Sequence, residues 1–145
     1  LADVLARYGA AVLDGVPADG LELVFAGNTE PTEVEARFAG EARPLADFRR
    51  EFITAWTHSQ GLDRRWAAAF TEEWLFRADS GQYWLAVQGP TAESMRPVVR
   101  AGSPITLYTR WLGARVARGE PEWIFLLISA TSHRDEAGDA DPPDV

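Results

Sequence analysis

Apolar residues recur at helical spacing close to the start of the chain. Five of them share one helical face: Val4, Leu5, Tyr8, Val12 and Leu13. This period predicts a helix over residues 2–14, and Gly15 and Pro17 end it.

Alternating patterns follow and predict two strands. Apolar side chains alternate with other residues over 21–25 and again over 32–38, and the turn-rich sequence "GNTEP" separates them. Alternation of this kind is typical of strands that are buried on one face. We expect the two strands to pair as a β-hairpin, with Glu33, Glu35 and Arg37 on its solvated face.

The apolar period changes to that of a helix between residues 45 and 60. Its stripe consists of Leu45, Phe48, Phe52, Ile53 and Trp56. Pro44 lies near the predicted first turn and Gly61 just past the predicted end, where these residue types are common. His58 falls in the last turn, where the helix dipole favours a cation. Asp63 is placed to cap a short helix in "RRWAAAF".

From about residue 72 the pattern is that of strands. Residues 73–78 and 82–88 flank "DSG", which predicts a hairpin with Gly81 in the left-handed conformation. The sequence "GPTAESMRP" then predicts a loop with one helical turn.

Two long apolar stretches predict the centre of the sheet. In the first, Ile105, Leu107, Thr109 and Trp111 share one face, and Gly113 predicts a bulge or a bend. The second, residues 122–130, is apolar on both faces. Its two layers are Trp123, Phe125 and Leu127 on one side, and Ile124, Leu126 and Ile128 on the other. We expect one layer in a barrel interior and the other beneath the amphipathic helix.

These elements predict an α+β fold. We expect an N-terminal helix and β-hairpin, the amphipathic helix, and then a small curled antiparallel sheet that forms an SH3-like or OB-like partial barrel. Residues 1–133 are predicted to form one domain. The last twelve residues, 134–145, contain five acidic residues but only one arginine, and they also contain two prolines. We therefore expect a disordered acidic tail there.

Part of the chain resembles a group of small bacterial proteins. The sequences "QYWLAVQGP", "ITLYTRWLGA" and "EWIFLLISA", within residues 82–130, are similar to the C-terminal strands of small exported bacterial proteins. The resemblance implies a periplasmic or secreted location, with a cytoplasmic location as the alternative. It carries no catalytic residue to this chain, and the strand end at Ser129, Ala130 and Thr131 departs from the pattern of such proteins.

Composition excludes several kinds of chemistry. The chain has no cysteine, all 14 basic residues are arginine, and there are only two histidines, His58 and His133. Thiolate zinc sites, Schiff-base lysines and phosphate-binding P-loops are therefore excluded. We expect no metal and no cofactor. One hydrolase hypothesis stays open, in which His58 acts with Glu72 or Glu73.

Charge is the one unusual feature of the C-terminal half. Residues 90–119 hold five arginines and a single acid, Glu93, although the whole chain has a net charge of -8. The candidate contact residues are Arg96, Arg100, Tyr108, Arg110, Trp111, Arg115 and Arg118. Arginine and aromatic residues are typical anchors of protein interfaces. In the alternative interpretation these residues have no binding role: the tryptophans belong to the core, and the arginines lie on solvated strand edges.

The sequence therefore predicts a non-catalytic binding or structural module that docks a protein partner, or joins a larger assembly, through the arginine and aromatic hairpin. An OB-like binder of single-stranded nucleic acid is the alternative, because such proteins stack bases on aromatic rings and hold phosphates with arginine. The overall acidity of the chain opposes the approach of phosphates at long range. Lipid headgroups are a further acidic ligand for the same arginines.

No stretch reaches the 18 or so apolar residues of a membrane span, so we expect no transmembrane helix.

Overall fold

The computed structural model describes residues 21–26, 30–79, 81–118 and 120–133. The helix predicted over residues 2–14 and the predicted tail at 134–145 lie outside these ranges. Within them the chain forms strands β1 (Leu21–Phe25), β2 (Thr32–Pro44), β3 (Phe70–Ala78), β4 (Gly81–Gln88), β5 (Pro104–Ala117) and β6 (Glu120–Ser132). The helices are α1 (Asp47–Ser59), α2 (Arg64–Ala68) and α3 (Gly89–Met95).

The strands form one sheet that closes on itself. Its order is β1-β5-β2-β3-β4-β6, and β6 also pairs with β5, so that the last five strands make a ring. The ring is not a regular barrel, because β4 and β6 meet in parallel through only two residue pairs. The α+β class and the curled sheet are confirmed, and this one parallel contact departs from the predicted antiparallel sheet.

Two apolar cores lie on opposite faces of the sheet. The interior of the ring holds a cluster that includes Trp74, Phe76, Leu107 and Phe125. The outer face carries α1 over a second cluster: Leu45, Phe52, Ile53, Trp56, Ala67, Phe70, Ala86, Leu112, Ile124 and Leu126. β6 thus faces a core on both sides, as its sequence predicts. Its Ile128 is the exception, since this residue is 43% exposed.

The predicted hairpin between β1 and β2 is wrong. Both strands run antiparallel to β5 along the same edge of it, β1 from Leu21 opposite Ala117 and β2 as far as Arg37 opposite Pro104. β5 has 14 residues, which is long enough to pair with the two short stretches in succession. β1 and β2 therefore run in the same direction along β5 and do not pair with each other.

Gly113 allows this arrangement because β1 approaches β5 closely there. The pairing of β5 with β6 shifts between Trp111 and Gly113, so the predicted bulge is confirmed. Gly113 has φ of 140°, and a Cβ on it would collide with the carbonyl oxygen of Val24. The backbone N–H of Ala26 donates to the carbonyl of Leu112 at 2.8 Å, directly beside the bulge.

The hairpin of β3 and β4 is confirmed, but its turn differs from the prediction. Ala78 pairs with Gly81, so residues 79 and 80 alone connect the strands. Asp79 has the positive φ, 57°, whereas Gly81 does not adopt a left-handed conformation. Aspartate tolerates this conformation better than most residues, which is why it replaces glycine here.

α1 begins later than the prediction. Pro44 is the last residue of β2 and pairs with Glu72, and the helix starts at Asp47. Gly61 follows the helix with φ of 70°, and the side chain of Asp63 caps α2 by accepting from the N–H of Arg65 at 2.9 Å, as predicted. This hydrogen bond from the backbone, with one from the Arg65 side chain, lowers the pKa of Asp63.

A buried ionic network fixes α1 on the sheet. Arg49 of α1 and Glu73 of β3 are 1% and 0% exposed, and Nη1 of Arg49 donates to Oε1 of Glu73 at 2.7 Å. The same oxygen accepts from the N–H of Ala46 at 3.0 Å, and Oε2 accepts from Nε of Arg43 at 2.6 Å. The other terminal nitrogen of Arg49 donates to Glu122 of β6 at 3.1 Å. One side chain of α1 therefore contacts both β3 and β6.

Burial raises the pKa of Glu73, but the hydrogen bonds from Ala46 and Arg43 and the charge of Arg49 outweigh it. The net effect is a pKa below the usual 4.5. Because the folded-state pKa is the lower one, the stabilisation is present above the usual pKa and is lost as the pH falls through the folded value.

Replacing Gly113 by alanine should detach β1 from β5. We expect Gly61→Ala, which adds strain at positive φ but meets no neighbouring atom, to cost about 1 kcal/mol of unfolding free energy. Gly113→Ala should cost roughly 2 kcal/mol more, because the added Cβ also displaces the backbone of β1. Urea unfolding gives both values, and amide exchange over residues 21–26 should quicken only in Gly113→Ala. Equal losses would show that the close approach is unimportant.

Neutralising Glu73 should show how much the buried ion pair contributes to the free energy of unfolding. Glu73→Gln leaves Arg49 buried beside one exposed partner, and we expect a loss of about 3–5 kcal/mol at neutral pH. Glu72→Gln is the control, since it weakens a partly exposed pair with Arg96 that is expected to contribute about 1 kcal/mol or less. In urea unfolding at several pH values, the wild-type stability should fall below pH 4.5 more steeply than that of Glu73→Gln. Parallel pH profiles would contradict the role of the ionised Glu73.

Candidate functional site

The seven predicted contact residues do not form one surface. β5 begins at Pro104 and ends at Ala117, and an extended strand of this length spans roughly 45 Å before any curvature. Arg96 and Arg100 come before its first residue, whereas Arg115 and Arg118 lie at its other end. The residues must therefore be considered in separate groups.

Arg96 is held by an ion pair. Its two terminal nitrogens donate to the two carboxylate oxygens of Glu72 at 2.8 and 2.9 Å, and Nε1 of Trp74 donates to the same carboxylate at 3.0 Å. The hydrogen bond from Arg96 lowers the pKa of Glu72, and burial opposes this only in part. The charge of Arg96 is thus matched within the chain. Arg100 is exposed in the turn before β5, where its N–H donates to Ser103.

Trp111 belongs to the interior of the ring. It is buried in the first core cluster, its Nε1 donates to the carbonyl of Gly113 at 2.8 Å, and its ring packs edge-on against Trp123. A partner could reach this ring only if the strands separated. This burial removes Trp111 from the predicted contact surface and matches the alternative in which the tryptophans form core.

Arg110 and Arg115 lie along α1, each over an aromatic ring of that helix. The guanidinium carbon of Arg110 is 5.2 Å from the centre of the Trp56 ring, and that of Arg115 is 5.3 Å from the centre of the Phe48 ring. Both arginines are half-buried. We call these four residues, Phe48, Trp56, Arg110 and Arg115, the arginine–aromatic edge.

The bulge at Gly113 puts both arginines on the same face. Side chains of a strand alternate between faces, so Arg110 and Leu112 share the outer face and an unbroken strand would send Arg115 inward. An extra residue in the strand reverses the alternation beyond it. Arg115 therefore reaches Phe48 on the same side of the sheet as Arg110 reaches Trp56.

The edge carries positive charge that is available to a partner. Among the described residues, no carboxylate lies within ion-pair distance of Arg110 or Arg115. Nε of Arg110 is buried and has no hydrogen-bond partner there. Stacking on an aromatic ring stabilises a guanidinium without supplying a counter-charge.

The remaining two predicted residues are exposed elsewhere on β5. Tyr108 lies on the outer face opposite Glu33 of β2. Arg118 follows the last residue of β5 and has φ of 52°. In the described part of the chain, Tyr108 makes no ring contact with Phe48 or Trp56, and Arg118 makes no cation–π contact with either ring.

The structure does not join His58 to Glu72 or Glu73. His58 is exposed at the end of α1 and lines an open groove of about 810 Å³. The lining residues are Arg50, Glu51, Thr54, Ala55, Thr57, His58, Leu62, Asp63 and Arg64. Glu73 is fully buried against Arg49, and Glu72 holds Arg96. The acid–base pair of the hydrolase hypothesis is therefore not assembled from these residues.

Sequence reasoning missed the helix side of the edge. Phe48 appears in the sequence only as a member of the apolar stripe of α1, yet it is half-exposed between the guanidinium groups of Arg49 and Arg115. The stripe pattern gives no indication of which apolar residue lies at its border. The position of Phe48 beside two arginines depends on where α1 packs on β5.

Two other kinds of site can be assessed directly. In the described ranges, no three His, Asp or Glu side chains converge in a way that could hold a metal ion. None of the helices there combines the length and apolar character needed to cross a membrane.

Comparison with protein-family models, with curated proteins and with solved structures finds no match to this chain. The resemblance of residues 82–130 to exported bacterial proteins stays a prediction. The function of the chain is therefore inferred from its own geometry.

Proposed function

We propose that this protein is a non-catalytic binding module that docks a protein partner on its arginine–aromatic edge. The observation that carries the proposal is the pair of half-buried guanidinium groups, each stacked on a ring of α1 and neither matched by a carboxylate in the described chain. Arginine and tryptophan are the residue types most often responsible for binding energy at interfaces.

Stacking prepares both arginines for binding. A free arginine side chain loses considerable rotamer entropy when a partner immobilises it, whereas a guanidinium that already lies on a ring loses less. Trp56 is buried under α1 and Phe48 is packed between two arginines, so the rings themselves are fixed. Contacts within the chain therefore place both guanidinium groups before the partner arrives.

The chemistry of the edge favours acidic side chains on the partner. Each guanidinium presents a planar fork of N–H donors that matches a carboxylate in two-point hydrogen bonding. A partner with two carboxylates spaced to meet Arg110 and Arg115 would replace the solvent around both groups. The net charge of -8 on the whole chain limits non-specific attraction of such partners at long range.

Charge reversal at the edge should abolish docking. We expect the double variant Arg110→Glu with Arg115→Glu to retain at most about a tenth of the partner that the tagged wild-type chain captures, since each anchor contributes about 2 kcal/mol or more. The control is Arg77→Glu with Arg100→Glu, which changes the net charge equally at two exposed arginines away from the edge. Quantitative mass spectrometry of captured proteins measures both. Undiminished capture by the edge variant would disprove the proposal, provided that its thermal unfolding matches that of the control.

A second candidate function is binding of single-stranded nucleic acid by an OB-like barrel. Three features support it: the five-stranded ring, the long β2 that pairs with both β3 and β5, and the helix α3 between β4 and β5. OB folds are partly open five-stranded barrels that bind oligonucleotides on one sheet face. In this chain Arg43 lies 3.8 Å from the centre of the Trp84 ring on that outer face. These features favour the OB-like over the SH3-like interpretation.

The nucleic-acid candidate makes a simple prediction. Oligothymidylate should bind at about 50 mM salt, lose affinity steeply by about 200 mM, and bind several-fold more weakly to Trp84→Ala, because base stacking would use that ring. Fluorescence anisotropy measures the affinity. The edge variant Arg110→Glu with Arg115→Glu serves as the control and should leave stacking on Trp84 in place. The absence of binding at low salt would exclude this candidate.

A further inference from the structure

β1 has one edge without a partner in the described chain. Its residues pair with β5 on one side, and β1 ends the strand order on the other. Three of its five side chains are large and apolar and remain partly exposed: Leu21 at 66%, Leu23 at 39% and Phe25 at 37%, although one side of the Phe25 ring packs edge-on against Phe52 of α1 at 5.1 Å. An apolar edge strand of this kind favours the addition of another strand.

The backbone shows which groups this edge offers. The N–H of Ala26 points to β5, where it donates to Leu112, and the carbonyl of Val24 also lies against β5 at Gly113. Successive residues of a strand direct their polar groups to opposite edges. Leu21, Leu23 and Phe25 therefore direct their N–H and C=O groups to the unpaired edge.

The sequence of β1, "LELVF", is complementary to itself when it is reversed about Leu23. An antiparallel second copy would place Leu23 opposite its equivalent, Leu21 opposite Phe25, and Glu22 opposite Val24. Every outward N–H and C=O of Leu21, Leu23 and Phe25 then meets a partner, and no like charges oppose each other. A register centred on Glu22 would oppose two carboxylates, which is unfavourable.

We propose that β1 is the dimerisation strand of this protein, and that a second copy of the chain pairs with it antiparallel in the register centred on Leu23. The two sheets then continue through the pair of β1 strands. The apolar side chains of Leu21, Leu23 and Phe25 from the two copies then lie side by side and form one continuous apolar stripe on the same face of the sheet.

The proposal goes beyond the docking function and does not depend on it. Leu23 is the register partner of Arg115 and shares its face of the sheet. The dimer would therefore present two arginine–aromatic edges on the same face of one continuous sheet. Docking at the edge needs Arg110 and Arg115, whereas dimerisation needs the backbone and apolar side chains of β1, so separate variants distinguish them.

Charge pairing at Leu23 tests the proposed register. Sedimentation equilibrium of the wild-type chain should show a monomer that becomes a dimer with rising concentration. Leu23→Lys and Leu23→Glu should each weaken dimerisation at least about tenfold, because like charges then face each other across the two-fold axis. An equal mixture of the two variants should form a mixed dimer. Ile128→Lys, a charge at a similarly exposed apolar residue of β6, is the control and should dimerise like the wild type.

Amide exchange provides a second, residue-resolved measurement. The N–H groups of Leu21, Leu23 and Phe25 should gain protection as the wild-type concentration rises, whereas those of Glu22 and Val24 are protected by β5 at every concentration. A wild-type chain that stays monomeric up to millimolar concentration would overturn the proposal. So would variants that dimerise as before, or a mixture that forms no mixed dimer while both variants remain folded by near-ultraviolet circular dichroism.

Discussion

The buried contact between Arg49 and Glu73 determines where α1 lies on the sheet. Apolar burial holds the helix against the outer face, but the hydrophobic effect is non-directional and so specifies the position of the helix less strictly than hydrogen bonds do. A fully desolvated carboxylate allows far less freedom, since its oxygens lose several kcal/mol each time a donor is missing. Glu73 accepts from Arg43, Ala46 and Arg49, and Arg49 continues to Glu122. The first turn of α1 is thereby fixed against three strands, and the position of every later side chain on the helix follows.

The bulge in β5 and the seat of α1 together create the arginine–aromatic edge. The bulge at Gly113 turns Arg115 to the outer face, and the ionic network places Phe48 where this guanidinium can cover it. Neither feature alone would be sufficient: without the bulge Arg115 would point away from the helix, and without the network Phe48 would have no fixed place. The candidate site is therefore a product of long-range packing, although its arginines are close in sequence.

Much of the fold could be predicted from sequence because it depends on local patterns. The two-faced apolar character of β6, the stripe of α1 and the glycine of the bulge each reflect a constraint within a few residues. Strand partners are different: an alternating pattern shows that residues 21–25 form a strand but not that β5 pairs with it. The burial of charged residues could not be predicted from sequence for a related reason. Arg49 looks like any solvated helix residue, and only the approach of Glu73, 24 positions away, makes its burial favourable.

The placement of β1 and β2 along one edge of β5 also affects the order of folding. The β3–β4 and β5–β6 pairs are joined by short connections and can form as soon as their own residues are available. β1 must wait for a strand whose last residue, Ala117, lies 96 positions beyond its own partner Leu21. During synthesis on the ribosome, the apolar side chains of β1 therefore leave the exit tunnel long before β5, the strand that β1 pairs with, exists. This interval is the period when the nascent chain is most exposed to aggregation and most dependent on chaperones.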